Sequence, residues 1–490
     1  MPNTHAALPL FNAYKTSFTP RANQTLRHFP ALRYTRTMTV YSSDILILGT
    51  GLAGLRVARA AQDHNPNLSI SLVSGKRGPS GSSFANRNNA LGMLVPQTDQ
   101  ARQRFLNKAL QLGSPGFMDK NLVRILAEEA EPRFLELQSM GLRFRLDARG
   151  KSQLFPVCGD PQGTAAIFDD LSHAYSLFLQ QIAQSTQQVP ATILGLLVED
   201  GYCAGAWGYD SQGRCSIFVA TATVMALGGP APLYAQNSAG PENPGLALGM
   251  LRETHVSMAN TGFLQFMWFE KNGQFMDIGA LPMQASVAGQ KGPDKKLRDQ
   301  RSTHCPAFHF QEDTAMDRWL LAGRNEQGHV AVKIDDTSRQ LVFMAHAGNG
   351  GAVIDEHGAT SLPGLFAAGE CATGMHGANR LGGAMVAATQ VFGHRAGIAA
   401  VRYAESHTKP KKQYLQELVA QLVSNNHTTV QSCPEISLGL QQHALFMPDP
   451  GLEAFIERLE KLSTGTNRYT ALLALSALEV TTSMRQAHAG

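Results

Sequence analysis

An arginine stands inside a tight frame of glycines, at position 380 of the run GMHGANRLGG that spans 374–383. The run follows GLFAAGE at 364–370, whose apolar residues indicate a buried strand. An arginine held among glycines is a costly arrangement for packing alone, because its charge must be paired or solvated. A guanidinium can hold a carboxylate through two parallel, charge-assisted hydrogen bonds. Arg380 is therefore a candidate to bind an anionic substrate.

A second glycine-rich run, GTGLAG at 49–54, indicates dinucleotide binding. It follows the apolar run at 45–48 and opens a helix-favouring segment, so the pattern is that of a strand, a turn and a helix. Gly49, Gly51 and Gly54 would allow a tight turn, and the helix N-terminus would attract a pyrophosphate. A purely structural glycine turn is the alternative. The second strand ends at Ser74 and not at an acid that would bind ribose hydroxyls, which disfavours NAD.

The elements that must position these two runs follow an α/β pattern. The first βαβ unit is predicted as a strand at 45–48, a helix at 52–61 and a strand at 68–73. Further strands are predicted across 192–229, with a hairpin turn at 198–201. Residues 235–340 lose this regularity, which indicates an inserted domain. The α/β pattern returns at 350–400, and helices follow from about 413.

Composition excludes several classes of protein. The 490-residue chain has 16% charged residues, 46 glycines and 24 prolines, as expected of a loop-rich α/β enzyme of two or three domains. Its net charge of +4 comes without a long run of one sign, so nucleic-acid binding is not indicated. No apolar run approaches the length of a membrane span. The six cysteines form no C-x-x-C pair, so no metal, iron–sulfur cluster or disulfide framework is expected.

The first 43 residues differ from the rest of the chain. They are basic and rich in hydroxyl side chains, and they contain no Asp or Glu before Asp44. Such a segment resembles an organelle transit peptide. A disordered extension, or an upstream start codon with Met38 as the true start, is the interpretation we favour, because no cleavage signal stands out. Together with the scattered thiols, this predicts a cytoplasmic protein.

Further motifs along the chain carry a family resemblance. They are GSSF at 81–84, TVMALGG at 223–229, SLPGLFAAGE at 361–370 and HGANRLGG at 376–383. Together with a serine at the end of the second strand, they resemble the flavoprotein family of succinate dehydrogenase, fumarate reductase and L-aspartate oxidase. The last motif matches the active-site loop of that family almost letter for letter. The resemblance runs from about residue 44 to 397, and weakly into the C-terminal helices.

This resemblance implies a fold and a domain order. The expected fold class is α/β, with a Rossmann-like FAD-binding domain, an inserted α+β capping domain and a short C-terminal helical region. The FAD-binding domain is expected at 44–234 and again at 341–404. The N-terminal extension would cover 1–43, the capping domain 235–340 and the helical region 405–490.

The resemblance also implies FAD and the residues that would bind it. Gly49, Gly51 and Gly54 would cradle the pyrophosphate, with Ser74 at the end of the second strand. Ser82 and Ser83 would lie near the ribityl chain or ring, and Glu370 would contact the same region. Some members hold FAD covalently through a histidine where this chain has Ser82. Non-covalent FAD is therefore predicted, as in the L-aspartate oxidase branch.

In the family, a histidine and the arginine of the last motif hold a substrate carboxylate, and here these are His346 and Arg380. A structural role for His346 remains the alternative. The opposite half of the site departs from the family, because GFLQFMW at 262–268 has Met267 in place of a histidine. Around 284–292, neither the family's glutamate nor its proton-relaying arginine is obvious. Lys291 is a candidate substitute, although a surface lysine in a turn is favoured.

Two functions are compatible with this pattern. The first is an FAD-dependent oxidoreductase that transfers a hydride between flavin N5 and a small carboxylate substrate, with an electron acceptor that the sequence does not identify. The second is a degenerate flavoprotein that binds FAD as a scaffold or as the partner of another protein. Since Met267 and Trp268 would make one half of the site apolar, weak dicarboxylate turnover is predicted. The preferred substrate would have one carboxylate and a less polar remainder.

Overall fold

The computed structural model describes residues 35–87, 89–157, 160–182, 186–240, 243–301, 314–425, 433–445 and 449–489. Most of the predicted N-terminal extension lies outside these residues, as do Cys158 and Cys305. The strands are β1 (Thr35–Leu48), β2 (Ile70–Ser74), β3 (Gly92–Leu94), β4 (Leu154–Val157), β5 (Asp160–Ile167), β6 (Thr186–Glu199), β7 (Tyr202–Asp210), β8 (Arg214–Met225), β9 (Met258–Ala259), β10 (Leu264–Glu270), β11 (Ser286–Val287), β12 (Gln290–Lys291), β13 (His329–Ile334), β14 (Thr337–Gly348), β15 (Gly351–Val353), β16 (Leu365–Ala367) and β17 (Ala372–Thr373). The helices are α1 (Leu52–His64), α2 (Gly81–Phe84), α3 (Asp99–Gly113), α4 (Lys120–Ser139), α5 (Leu171–Ile182), α6 (Ala247–Glu253), α7 (Lys295–Arg301), α8 (Ala315–Ala322), α9 (Ala384–Ser406), α10 (Lys412–Asn425), α11 (Pro434–His443), α12 (Leu452–Ser463) and α13 (Arg468–Ala489).

A six-stranded sheet forms the centre of the larger domain. Strand β1 lies between β2 and β8 and runs parallel to both. Strand β16 adds to β8 in parallel, and β7 joins β6 and β8 in antiparallel fashion. The run 45–48 is fully buried, and helices α1 and α9 both pack against β1. This is the predicted Rossmann-like architecture, with the carboxyl ends of β1 and β2 meeting at one edge.

The first strand begins earlier than the sequence predicted. Residues 35–43, assigned above to the extension, pair with the N-terminal half of β8. Tyr41 stacks on Phe218 with their ring centroids 5.2 Å apart. The sequence TRTMTVYSS is rich in Thr, Val and Tyr, which favour strands, and this outweighs the basic, acid-free composition on which the prediction was based. The boundary at residue 43 was therefore placed too late.

The inserted domain is built on an antiparallel sheet in the order β10-β14-β13-β11-β12, with α7 and α8 beside it. Strand β14 begins in this domain and continues to Gly348, so the predicted boundary at 340/341 falls inside a single strand. A buried charge pair holds the helices to β10: Arg301 Nε donates to Asp317 Oδ2 at 2.6 Å, and Trp268 Nε1 donates to Asp317 Oδ1 at 2.8 Å.

Helices α10 to α13 form the C-terminal region, as predicted. Helix α13 packs against α12 and α6, and Ser476 Oγ accepts a hydrogen bond of 2.8 Å from Gly249 N. Among the described residues, no helix is both long and apolar enough to cross a membrane.

Candidate cofactor and substrate site

A single long cleft connects the two glycine-rich runs. Its cavity volume is about 340 Å³, within the range of small-molecule sites. One end is formed by the turn after β1 and the ends of β2 and β8. The other end is formed by β10, β14 and the loop at 374–383, called the Arg380 loop below. The predicted site residues that line it are Gly49, Gly51, Ser74, Ser82, Ser83, His346, Glu370 and Arg380.

Two glycines of the first run are required by the backbone itself. Gly49 has a φ of 113°, and a Cβ there would collide with the carbonyl oxygen of Ala226. A Cβ at Gly54 would collide with the carbonyl oxygen of Gly49, so Gly54 allows α1 to pack closely on the turn. Gly54 itself is not among the described residues that line the cleft. Its role is therefore to shape the turn from behind.

Gly51 and Thr50 face the space that a phosphate group would fill. A Cβ at Gly51 would meet only Ser83 Oγ, at 3.4 Å, so the position opens into the cleft. Thr50 Oγ1 is buried and has no hydrogen-bond partner among the described residues. Leu52 N, at the start of α1, donates to Ser83 Oγ at 3.1 Å. An open glycine, an unpaired hydroxyl and a helix N-terminus together suit a pyrophosphate.

The serines in the cleft provide hydroxyl groups that can form hydrogen bonds but are weak nucleophiles. Ser74 Oγ donates to Lys76 O at 2.6 Å, which leaves its oxygen able to accept a bond from a ribose hydroxyl. Ser82 and Ser83 lie in α2 on the cleft wall. Among the described lining residues there is no cysteine, and His346 is the one histidine.

Flavin is therefore expected to be released when the protein is denatured. The purified protein should be yellow, and acid or heat precipitation should leave all flavin absorbance in the supernatant. The physical reason is that Ser82 occupies the position at which a histidine would form the covalent bond. Flavin that co-precipitates with the polypeptide and survives washing in denaturant would contradict this expectation.

Glu370 links the second cofactor strand to the substrate end of the cleft. It follows β16, and its Oε1 accepts a hydrogen bond of 2.7 Å from Gly348 N. Burial raises the pKa of Glu370 above its usual value, against the opposing effects of the Gly348 hydrogen bond and the Arg380 charge. A Cβ at Gly229 would collide with this carboxyl group, so the glycine makes room for it. Glu370 thus fixes the end of β14, which carries His346.

Arg380 lies at the substrate end, with only 7% of its surface exposed. Its Nη1 donates to Gly348 O at 3.2 Å and makes a closer contact with Asn349 Oδ1. Arg380 O accepts a hydrogen bond from Gln265 Nε2 at 3.2 Å. The loop before it is braced by Asn260, whose Nδ2 donates to His376 O at 2.9 Å. The guanidinium is therefore held in one place at the wall of the cleft.

His346 lies on the same wall and is neutral. Its Nδ1 is 2.9 Å from Ser238 Oγ, and Ser238 is buried. Burial, together with the nearby charge of Arg380, lowers the pKa of His346 to about 4. When the Ser238 hydroxyl donates to Nδ1, the hydrogen of the imidazole is on Nε2. That tautomer provides a neutral donor beside the Arg380 cation, which suits a carboxylate.

Carboxylate binding is accordingly expected to be insensitive to pH between about pH 6 and 8. Because the pKa of His346 is lowered from 6.5 to about 4, its imidazole stays neutral throughout this range. An imidazole with an ordinary pKa would be a cation at the acidic end and would lose that charge as the pH rises. The two cases are distinguished by measuring the dissociation constant of a carboxylate at several pH values, from the change in flavin absorbance. Affinity that falls severalfold through pH 6.5 would contradict a neutral His346.

The half of the site opposite Arg380 matches the sequence prediction only in part. Met267 lines the cleft beside Gln265, as predicted. Trp268 does not line it: successive side chains of a strand point to opposite faces, and Trp268 packs on Phe343 behind the sheet. The prediction that Trp268 forms part of the apolar wall was wrong for this reason. Lys291 is exposed on the edge strand β12, also away from the cleft.

Several residues of the site were not identified from the sequence. Gln265 lies in a motif that was recognised, but its contact with the Arg380 loop depends on the pairing of β10 with β14. Ser238 contacts His346, and Asn349 contacts Arg380, in each case across a large distance in sequence. Asn260 adopts a φ of 61°, which cannot be predicted from its residue type alone. Only the fold brings these residues together.

Comparisons with known proteins identify the family to which the chain belongs. A family model described as an FAD binding domain matches residues 44–270 and 283–386. A subunit of the CoM/CoB fumarate reductase of Methanothermobacter marburgensis is 28% identical over 76% of this chain and 74% of its own. An L-aspartate oxidase of Mycobacterium tuberculosis is 24% identical over 74% of each chain. A structure of E. coli quinol fumarate reductase FrdA, in mutant form, superposes with a TM-score of 0.71 at 20% identity, covering 91% of this chain and 88% of that one.

The fold and the cleft are those of an FAD-binding α/β oxidoreductase. The chain belongs to the FAD-binding flavoprotein family whose members include the flavoproteins of fumarate reductases and L-aspartate oxidases. The predicted family and the predicted cofactor, FAD, are both confirmed. The residue roles assigned above remain predictions.

Proposed function

We propose that this chain transfers a hydride between FAD and a small carboxylate substrate. The observation that carries the proposal is the position of Arg380 and His346 on the wall of the same cleft that begins at the Gly49 turn. The hydride is accepted or supplied by FAD when it is bound. The protein's own contribution is to bind and orient the substrate, which can account for a large part of a rate enhancement.

Each residue has a separate part in this proposal. Arg380 would pair with the substrate carboxylate, and the neutral His346 would donate a hydrogen bond to it. Glu370 and Arg380 bind Gly348 through its N–H and its carbonyl respectively, so they fix the strand end that carries His346. The turn formed by Gly49 and Gly51 would hold the pyrophosphate. Arg380 is buried, and His346 and Glu370 are partly buried, so little water reaches the place where the charges meet.

The alternative of a non-catalytic scaffold has less support. Relatives from different branches are named as enzymes or as parts of enzymes, and the Arg380 loop is intact here. One relative is named as a single component of a larger fumarate reductase, which supports a separate protein as the electron donor or acceptor.

A steady-state assay tests the proposal. The holoprotein would be incubated with L-aspartate, succinate, fumarate and a panel of monocarboxylates, with oxygen or a dye to accept electrons and reduced dye to supply them. Turnover of at least one carboxylate, lost in a variant with Arg380 replaced, is the expected result. A fully FAD-loaded protein that turns over none of them in either direction would contradict the proposal.

A further inference from the structure

We infer that the substrate carries a single carboxylate on an otherwise apolar body. This inference rests on the proposed function and names the class of carboxylate that the site selects. It depends on three observations: the charges that line the cleft, the positions of three cations of the capping domain, and the side chains that face Arg380.

The part of the cleft formed by described residues offers one positive charge. Among the described residues that line it, Arg380 is the one lysine or arginine, and Glu370 is the one acid. Glu370 already accepts hydrogen bonds from backbone N–H groups, and His346 is neutral. One guanidinium satisfies one carboxylate through its two-point geometry. A second carboxylate on the same substrate would require another cation or a cluster of donors.

Three cations of the capping domain are directed elsewhere. Arg298 is buried, and it donates from Nε to Pro293 O at 2.8 Å and from Nη1 to Leu281 O at 2.7 Å. Arg301 is paired with Asp317 behind β10. Lys291 is exposed on β12. None of these three side chains lines the cleft.

An apolar surface faces this end of the cleft instead. Met267 is 6% exposed and lines the cleft directly. It belongs to a cluster of its own with Phe269 on β10 and with Val342 and Met344 on β14. Alternate residues of β10 share a face, so Met267 and Phe269 continue the face of Gln265. The pairing with β14 shifts register beside His346, and His346 lines the cleft together with Gln265 and Met267. A methyl or methylene group placed there is removed from water, whereas a charge placed there is desolvated without a partner.

Two selectivities follow from this arrangement. Apolar monocarboxylates should bind about fourfold tighter for each added methylene, until the space at Met267 is filled. A dicarboxylate of the same length should bind about 100-fold more weakly, since its second charge loses its hydration without gaining an ion pair. Succinate, fumarate and L-aspartate would then be poor ligands of this chain.

The test compares ligands matched in length on the FAD-loaded full-length protein. Dissociation constants are measured by isothermal titration calorimetry and by the shift in flavin absorbance, for pentanoate beside glutarate and for hexanoate beside adipate. Tighter binding of each monocarboxylate by about 100-fold is expected. Equal or tighter binding of the dicarboxylates would overturn the inference.

The Met267→His variant tests the residue that sets this selectivity. A neutral imidazole would give the second carboxylate a donor, so the preference for monocarboxylates should fall by about tenfold. Turnover of dicarboxylates should not be fully restored by this change alone. Met344→Leu is the matched control, because Met344 belongs to the same cluster but does not itself line the cleft; it should leave the preference unchanged. An unaltered preference in Met267→His, with FAD retained, would overturn the role of Met267.

The binding data also separate this inference from the proposed function. If dicarboxylates bind as well as monocarboxylates and both depend on Arg380, the substrate class is wrong and the proposed function stands. If no carboxylate binds, or if binding is indifferent to Arg380, the proposed function fails as well.

Discussion

Replacing Arg380 with lysine is expected to lower kcat/KM for the carboxylate substrate, with a loss of about 2–4 kcal/mol of transition-state stabilisation. The FAD content should stay near that of the wild type. Lysine keeps the positive charge but loses the planar, two-point grip on a carboxylate. It also lacks the planar guanidinium whose Nη1 contacts both Gly348 O and Asn349 Oδ1. The measurement is steady-state turnover per bound flavin.

Arg339→Lys is the matched control for this variant. Arg339 lies on β14, where it is half exposed and pairs with Glu270 at the surface. An exposed ion pair contributes little, so this variant should behave as the wild type. Full turnover in Arg380→Lys would mean that Arg380 only supports the loop. Loss of FAD in parallel with turnover would mean that the arginine acts on cofactor binding.

Replacing Gly51 with valine is expected to abolish FAD retention with little change in secondary structure. The site is suited to this test because a Cβ at Gly51 meets only Ser83 Oγ, at 3.4 Å, and otherwise enters the cleft. The two γ-carbons of valine would therefore occupy the space for the pyrophosphate rather than disturb the core. We expect the dissociation constant for FAD to rise by about 100-fold or more. This corresponds to a loss of about 2.8 kcal/mol of binding free energy.

Two further glycine variants separate an effect on FAD binding from an effect on the stability of the fold. Gly51→Ala adds only the Cβ and should weaken FAD binding less than Gly51→Val. Gly49→Ala should instead destabilise the fold, because a Cβ there collides with the carbonyl oxygen of Ala226 at a φ of 113°. Circular dichroism and thermal unfolding distinguish the two effects. A folded Gly51→Val protein with the flavin absorbance of the wild type would remove Gly51 from the phosphate site.

Much of the positioning framework could be predicted from local sequence. The apolar run at 45–48 indicates a strand buried on both faces, and that is how it packs. The hairpin predicted at 198–201 forms with Asp200 and Gly201 at φ values of 51° and 81°, as a tight turn between two strands requires. A local cap likewise marks the start of α4 at Lys120, because the side chain of Asp119 accepts a hydrogen bond from Asn121 N. In each case, the deciding interactions lie within a few residues.

What the sequence could not provide depends on contacts between distant segments. Residues 35–43 become a strand because β8 offers them a parallel edge, which composition does not reveal. Trp268 turns away from the cleft because the pleat of β10 places Met267 inward. Gly54 supports the turn rather than lining the cleft, because α1 approaches the Gly49 carbonyl. Met267 indicated an apolar second half of the site, but the cluster that it forms with Val342 and Met344 depends on the pairing of β10 with β14.

The most direct test of the central claim is a crystal structure of the FAD-loaded protein with bound pentanoate. FAD is expected in the cleft, with its pyrophosphate at the Gly51 turn. The pentanoate carboxylate is expected within hydrogen-bond distance of both Arg380 and His346, with the alkyl chain against Met267. A carboxylate bound elsewhere, or a guanidinium of Arg380 that still contacts only protein atoms while the ligand occupies the cleft, would contradict it.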